Sequence, residues 1–254
     1  MALLHLNLSS QNSMQKMTSA VAIVPEGHPG PFSVIYLLHG LSGDCTAWTR
    51  RTTLESWVEG LPVIVVMPDG GRGWYADSAR CPTQAYETFI THDFIGFVDA
   101  TFRTIASREG RAICGNSMGG YGAFKLALKH ADLFCAAASL SGAFVLDRVI
   151  DGLLDRDVEM RLIFGRDPKG GEDDISALAQ QADVSRLPAL WMNCGREDWL
   201  LECSRGLHAI FDQRRIPHEY SEDAGDHSWG YWNRVAPRAL RFLCAQLGVD
   251  AEGA

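Results

Sequence analysis

Short apolar runs alternate with longer stretches of helical periodicity, and this alternation constrains the chain more than any other feature. Residues 33–38 (SVIYLL), 61–67 (LPVIVVM), 111–114, 133–140 and 188–194 (PALWMNC) are each bounded by a glycine or proline within two residues. Runs this short and this apolar read as strands buried on both faces, the habit of parallel sheets. Residues 46–60, 83–102, 118–130, 200–213 and 232–247 have helical composition, with Phe89, Ile90, Phe94, Phe97 and Val98 at helical spacing. Two further strands, 2–7 and 16–24, open the chain around the polar turn 9–13, and a short strand at 218–221 precedes the last helix. The expectation is one α/β domain over 1–254, a mainly parallel sheet with helices on both faces. Residues 147–185 are the least regular, charged and broken by Pro168-Lys169-Gly170-Gly171. They leave a strand at its carboxyl edge, where such sheets place their sites, so they are expected to form a cap-like insertion over an acyl pocket.

Three chemically competent residues fall just past strand ends. Gly115-Asn116-Ser117-Met118-Gly119 fits G-x-S-x-G and follows the strand 111–114 while opening the helix 118–130. That strand–turn–helix setting is what a nucleophile elbow needs, and its glycines let the turn pinch until the serine stands exposed. A serine hydroxyl needs a base at neutral pH. His227, in the polar loop Gly225-Asp226-His227-Ser228, is the candidate among eight histidines. His39 competes but sits at the end of a buried strand, and His5, His28, His92, His130, His208 and His218 read as surface or edge residues. Asp198, after the strand 188–194, is expected to orient His227, with Glu197 as the fallback. Asp167 and Asp174 lie in the insertion, and Asp223 and Asp226 lie too near His227 in sequence to turn back onto its ring. The order Ser117, Asp198, His227 is that of the α/β-hydrolases.

A carbonyl oxygen gaining charge needs fixed donors. The N–H of Met118, directly after the serine, is one candidate, and the N–H of Leu41, beside Gly40, is the other. Trp48, Trp74 and Trp229, together with Tyr75, are candidates to shape a substrate pocket or simply to pack. Cys45, close to the Leu41 loop, is either a thiol-sensitive point or an inert buried thiol. The formal charge of −8 and the lack of any Lys/Arg run argue against nucleic acid as a partner. Seven cysteines without a C-x-x-C, and histidines without an H-x-x-x-H, argue against a disulfide framework or a metal. Neither a metal nor a cofactor is expected. Residues 1–7 lack the features of a signal peptide, and no apolar stretch nears the roughly 20 residues of a membrane span. The protein is therefore expected in the cytoplasm, away from membranes, acting on a small-molecule ester; a homo-oligomer is compatible with this.

Three segments carry a family resemblance: Tyr36-Leu37-Leu38-His39-Gly40-Leu41-Ser42-Gly43-Asp44, Gly115-Asn116-Ser117-Met118-Gly119-Gly120-Tyr121-Gly122-Ala123 and Asp226-His227-Ser228-Trp229-Gly230-Tyr231-Trp232. With Met67-Pro68-Asp69-Gly70 and Trp74-Tyr75 they resemble the esterase D family of α/β-hydrolases over about residues 1–247. The family includes S-formylglutathione hydrolases, tributyrin-type esterases, feruloyl and acetylxylan esterases and mycolyltransferases. The resemblance implies a serine carboxylesterase for short acyl chains that works through an acyl-enzyme. It places Ser117, Asp198 and His227 on the triad and Leu41 and Met118 on the oxyanion donors. S-formylglutathione hydrolases typically carry His before the nucleophile and a His-Asp-His-Ser-Tyr type ending, where this chain has Asn116 and His227-Ser228-Trp229. The Trp-containing ending is similar to the tributyrin-type esterases, so glutathione thioester hydrolysis is the alternative, beside acyl transfer to an alcohol.

Overall fold

The computed structural model describes residues 1–144, 158–165 and 168–251. Its frame is an eight-stranded sheet in the order β1-β2-β4-β3-β5-β6-β7-β8. The strands are β1 (Ala2–Ser10), β2 (Lys16–Val24), β3 (Ser33–Leu38), β4 (Val63–Pro68), β5 (Arg111–Asn116), β6 (Ala136–Leu140), β7 (Ala189–Gly195) and β8 (Glu219–Asp223). From β4 through β3 to β8 every pairing is parallel, while β1 and β2 extend one edge in antiparallel register.

Strand periodicity sorts the apolar residues into two layers. In β3, Val34, Tyr36 and Leu38 enter one core, and Ile35 and Leu37 enter the other. The first layer is covered by the helix Met118–Lys129, the stretch Tyr86–Thr101 and the helix Leu201–Arg214, through Tyr121, Phe124, Phe94, Val98 and Phe211. The second is covered by Trp48, Leu54 and Val58 and by the closing helix Trp229–Gln246, through Trp232, Val235, Ala239 and Leu243. Both faces of β3, β4, β5 and β6 are buried along their whole length, as continuous apolar strands require.

The differences from the sequence reading lie at element boundaries. The first strand runs on to Ser10, because Ser9 and Ser10 still pair with Met17 and Lys16. The stretch 46–60 forms two short helices, Ala47–Arg51 and Leu54–Val58, since Thr52 turns extended and its hydroxyl bonds the Trp48 carbonyl at 2.5 Å. Helix over 83–102 begins only at Tyr86 and contains a π segment, Phe89–Phe94. The closing helix starts at Trp229, three residues earlier than its apolar periodicity suggests, because Ser228 caps it by accepting from the Tyr231 N–H. Of the stretch 147–185, residues 147–157 and 166–167 lie outside the described residues. Of the remainder, the helix Val158–Phe164 packs on the loop 72–80, where the Leu162 and Ile163 carbonyls accept from the N–H groups of Arg80 and Ala79.

A buried ion cluster pins the Met118–Lys129 helix. Lys125 is 0% exposed and pairs with Glu87 and Asp173, each at 2.8 Å, while Lys129 and His130 also reach Glu87 at 2.9 Å. Burial alone would raise the Glu87 carboxyl, but hydrogen bonds from His130 and the lysines and the Lys125 charge hold it well below its usual value. Replacing Lys125 with Ala removes the buried cation between Glu87 and Asp173 and is expected to cost about 3 kcal/mol in urea unfolding at neutral pH, since Glu87 keeps Lys129 and His130. Because the native carboxyl titrates lower than the unfolded one, its stabilisation is complete above the ordinary glutamate value of 4.5. That stabilisation should fall away as pH drops below it. Unfolding curves of wild type and Glu87→Gln between neutral and acidic pH check this: the gap between them should close on acidification.

Candidate active site

Four strands, β3, β5, β7 and β8, deliver the site at their carboxyl ends. Ser117 follows β5 directly, Asp198 follows β7, His227 follows β8, and the loop His39-Gly40-Leu41-Ser42-Gly43 follows β3. Ser117 has φ 54° and ψ −120°, a backbone conformation that a non-glycine residue holds only when its surroundings force it. The force is close packing. A Cβ on Gly119 would sit 2.4 Å from the Leu38 carbonyl oxygen, and one on Gly115 would sit 2.4 Å from the Gly119 backbone. Only glycines let the new helix cross β3 and β5 this closely.

The three chemically competent side chains named from the sequence come together in space. Ser117 Oγ lies 2.9 Å from His227 Nε2, and His227 Nδ1 lies 2.9 and 3.0 Å from the two Asp198 oxygens. A carboxylate facing Nδ1 fixes the proton there and leaves Nε2 as the acceptor for the serine hydroxyl. Burial would raise the Asp198 carboxyl, but hydrogen bonds from His227, the Leu200 N–H and Ser141 outweigh it and hold the group ionised below its usual range. Glu197, the sequence-level fallback, points elsewhere: its Oε2 accepts from the Gly225 N–H at 2.5 Å. Asp223 is engaged by Asn193 at 2.7 Å and Arg238 at 2.6 Å, and Asp226 by the Ser228 hydroxyl.

His39 is buried with both ring nitrogens occupied. Nδ1 donates to the Gly40 carbonyl at 2.8 Å, and Nε2 accepts from the Gly70 N–H at 2.9 Å. The Tyr75 hydroxyl donates to the His39 carbonyl at 2.9 Å, so two side chains hold the loop in place. In that loop the Gly43 N–H closes a turn onto the Gly40 carbonyl, with Leu41 and a left-handed Ser42 between them. A Cβ on Gly40 would come within 3.3 Å of the Ser117 Cβ. Leu41 therefore sits beside the serine, and the Met118 N–H lies in the first helical turn, where N–H groups lack an intrahelical acceptor.

A cleft of about 670 Å³ opens over Ser117 and is lined among others by Leu41, Arg50, Arg51, Trp74, Asn116 and His227. Trp74 and Trp229 line it. Trp48 does not: it is buried behind Trp229, at 5.2 Å between ring centres, with its indole N–H on the Leu38 carbonyl. Two tryptophans missed from the sequence flank the imidazole. Trp199, 68% exposed, lies 5.2 Å from the His227 ring, and Trp232 lies 4.9 Å away while donating to Ser141 Oγ at 3.1 Å. Their adjacency to Asp198 and to the His227 motif was the available signal. Ser141, with φ 51° after β6, offered none. Both polar atoms of the Asn116 amide are buried without a partner among the described residues. Residues 158–165 and 168–185 contribute nothing to the lining of this cleft; Phe164 instead backs Trp74, at 6.0 Å between rings.

The family described as putative esterase matches residues 10–243. An acetyl esterase from Caldicellulosiruptor saccharolyticus is 27% identical, covering 96% of this chain and 98% of that protein. Among solved structures, the fluorophosphonate-binding serine hydrolase FphF of Staphylococcus aureus, with substrate bound, superposes with a TM-score of 0.87 at 28% identity, over 95% of this chain and 98% of its own. The S-formylglutathione hydrolase FrmB of the same organism gives 0.85 at 28% identity, over the same shares.

Behind the loop that borders the cleft, Cys45 is a buried and chemically quiet thiol. Burial, with the nearby Asp69 and Asp44 charges, pushes Cys45 up to about 11. Little thiolate is then present at neutral pH, and the thiolate is the reactive form. Iodoacetamide at pH 7.5 is expected to leave ester hydrolysis intact and Cys45 unmodified by peptide mass spectrometry.

Proposed function

Because the chain belongs to the putative esterase family, we propose that it is a serine carboxylesterase for short-chain acyl esters, with Ser117, His227 and Asp198 as its catalytic residues. One observation carries the reading: an unbroken line of hydrogen bonds from Ser117 Oγ through His227 to a buried Asp198, opening into a cleft. His227 Nε2 takes the hydroxyl proton as Ser117 Oγ adds to the ester carbonyl. The Met118 and Leu41 N–H groups receive the developing oxyanion, and Asp198 stabilises the imidazolium. The C–O bond to the alcohol breaks as His227 returns the proton to the leaving oxygen. Water then repeats the sequence on the acyl-enzyme and releases the acid. The helix Val158–Phe164 supports the cleft wall from behind, through Phe164 against Trp74. The chain's seven cysteines, all free thiols, suit a reducing, cytoplasmic setting.

A second reading, hydrolysis of a glutathione thioester, draws on one feature of the cleft. Arg50 and Arg51 stand on its wall, where carboxylates of an anionic thiol would meet them.

Ser117→Ala is expected to lose several orders of magnitude in p-nitrophenyl acetate hydrolysis and all fluorophosphonate labelling, with unchanged circular dichroism. Asp198→Asn should lose about 10⁴-fold by releasing the imidazole into the wrong tautomer. Glu197→Gln should stay within a few-fold, and the reverse ranking would transfer the role to Glu197. Across p-nitrophenyl esters of two to twelve carbons, kcat/KM should peak at the short end and fall with length, since added methylenes must find room among Trp74, Trp229 and Trp232. S-formylglutathione belongs in the same series. A preference for it of about a thousandfold would establish the second reading, and its loss in Arg50→Ala would assign the cause.

A further inference from the structure

The helix that follows Asp198 and the strand that leads to His227 meet in a cluster that ester hydrolysis does not use. His208 and Asp212 stand one turn apart on the helix Leu201–Arg214, and His218 immediately precedes β8. One ligand atom from each lies within 4.8 Å of the other two. The His218 side chain is 5% exposed, and its Nδ1 donates to the Ile216 carbonyl at 2.9 Å. That bond fixes the tautomer and leaves the lone pair on Nε2, the arrangement commonly found behind a metal-ligating histidine. The lone pair faces His208 Nδ1 at 2.7 Å. His208 is itself held by stacking on Tyr220, with ring centres 4.3 Å apart. Asp212 completes the triangle, its Oδ1 4.0 Å from His218 Nε2 and its Oδ2 3.5 Å from His208 Nε2.

We propose that His208 Nδ1, His218 Nε2 and Asp212 Oδ1 form a binding site for a zinc-like divalent ion. Two imidazoles and one carboxylate suit zinc, cobalt or nickel, whereas magnesium and calcium call for oxygen ligands. Bonds of about 2.0–2.2 Å in a tetrahedron set neighbouring ligand atoms roughly 3.4 Å apart. The His208–His218 separation must therefore open slightly and the Asp212–His218 separation close. The adjustments fall on the half-buried His208, 34% exposed, and the exposed Asp212, 65%, while the buried His218 stays in place. On binding, the His208 proton moves from Nδ1 to Nε2, facing Asp212 Oδ2, so both rings ligate as neutral imidazoles. Water fills the outward position. The ion joins two elements that flank the acid and the base without touching either, so its role is structural.

Tag-free, chelator-treated protein titrated calorimetrically with Zn²⁺ tests the proposal, with Mg²⁺ as comparison and Co²⁺ read by its visible ligand-field band. One Zn²⁺ should bind per chain with a micromolar or tighter Kd and raise Tm, Co²⁺ should give a tetrahedral spectrum, and Mg²⁺ should bind far more weakly. His208→Ala, at a half-buried position, and Asp212→Asn, at an exposed one, should each weaken Zn²⁺ by about tenfold or more. The metal-free variants should hydrolyse p-nitrophenyl acetate at the wild-type rate. The proposal is overturned by a lack of saturable Zn²⁺ binding up to about 1 mM, by equal affinity in both variants, or by Mg²⁺ matching Zn²⁺.

Discussion

The contact of Gly119 with the Leu38 carbonyl oxygen is the constraint on which the rest of the site depends. It lets the helix Met118–Lys129 start directly against the end of β3, and so forces Ser117 into its left-handed turn. The same approach brings the β3 loop, with Leu41, alongside the serine. Ser117 and the Leu41 loop are thus positioned together by one close backbone approach. Any side chain at position 119 would push them apart together, a cost that no adjustment of the cleft walls could recover.

The conformation is held from outside the turn. Lys125, two turns along the same helix, lies buried between Glu87 and Asp173, so the helix is tied to the segment Tyr86–Thr101 and to the far end of the insertion. Tyr75 and His39 hold the Leu41 loop from the other side, and Tyr75 is itself left-handed. Positive φ at Ser42, Trp74, Tyr75, Ser117 and Ser141 gathers backbone strain on one edge of the sheet. Strain of this kind persists only where surrounding packing over-determines it, and here two buried cores and an ion cluster do so.

Much of this was legible in the amino-acid sequence, for a physical reason in each case. Strands buried on both faces leave uninterrupted apolar runs, so the parallel core from β3 to β7 could be read directly. Boundaries escaped where a side chain overrode periodicity, as at Thr52 and Ser228. Ser117, Asp198 and His227 could be named because each follows a strand, and sheet topology gathers strand ends. Contacts between tryptophans could not: Trp48 and Trp199 look equivalent in sequence, yet one is sealed behind Trp229 and the other stands open beside His227. The cluster of His208, Asp212 and His218 eluded any spacing rule because its third member arrives across the turn between a helix and a strand.

Asp198 and His227 owe their separation to the backbone more than to their mutual attraction. The loops after β7 and β8 are zipped together: the Arg196 N–H bonds the Asp223 carbonyl, the Glu197 N–H bonds the Gly225 carbonyl, and the Glu197 carboxylate takes the Gly225 N–H. Gly195 passes so close to Gly225 that a Cβ there would meet its carbonyl oxygen at 2.0 Å. Beneath them Asn193 gathers Ser221, Asp223 and Tyr231 into one network. An imidazole carried on such a frame meets its carboxylate without reorganising when it gains a proton, which is where electrostatic stabilisation has its largest effect. The outer wall of the cleft is more open. Arg50, Arg51 and Trp199 are exposed on loops and a short helix, so substrate preference can change there while the geometry of proton transfer stays fixed.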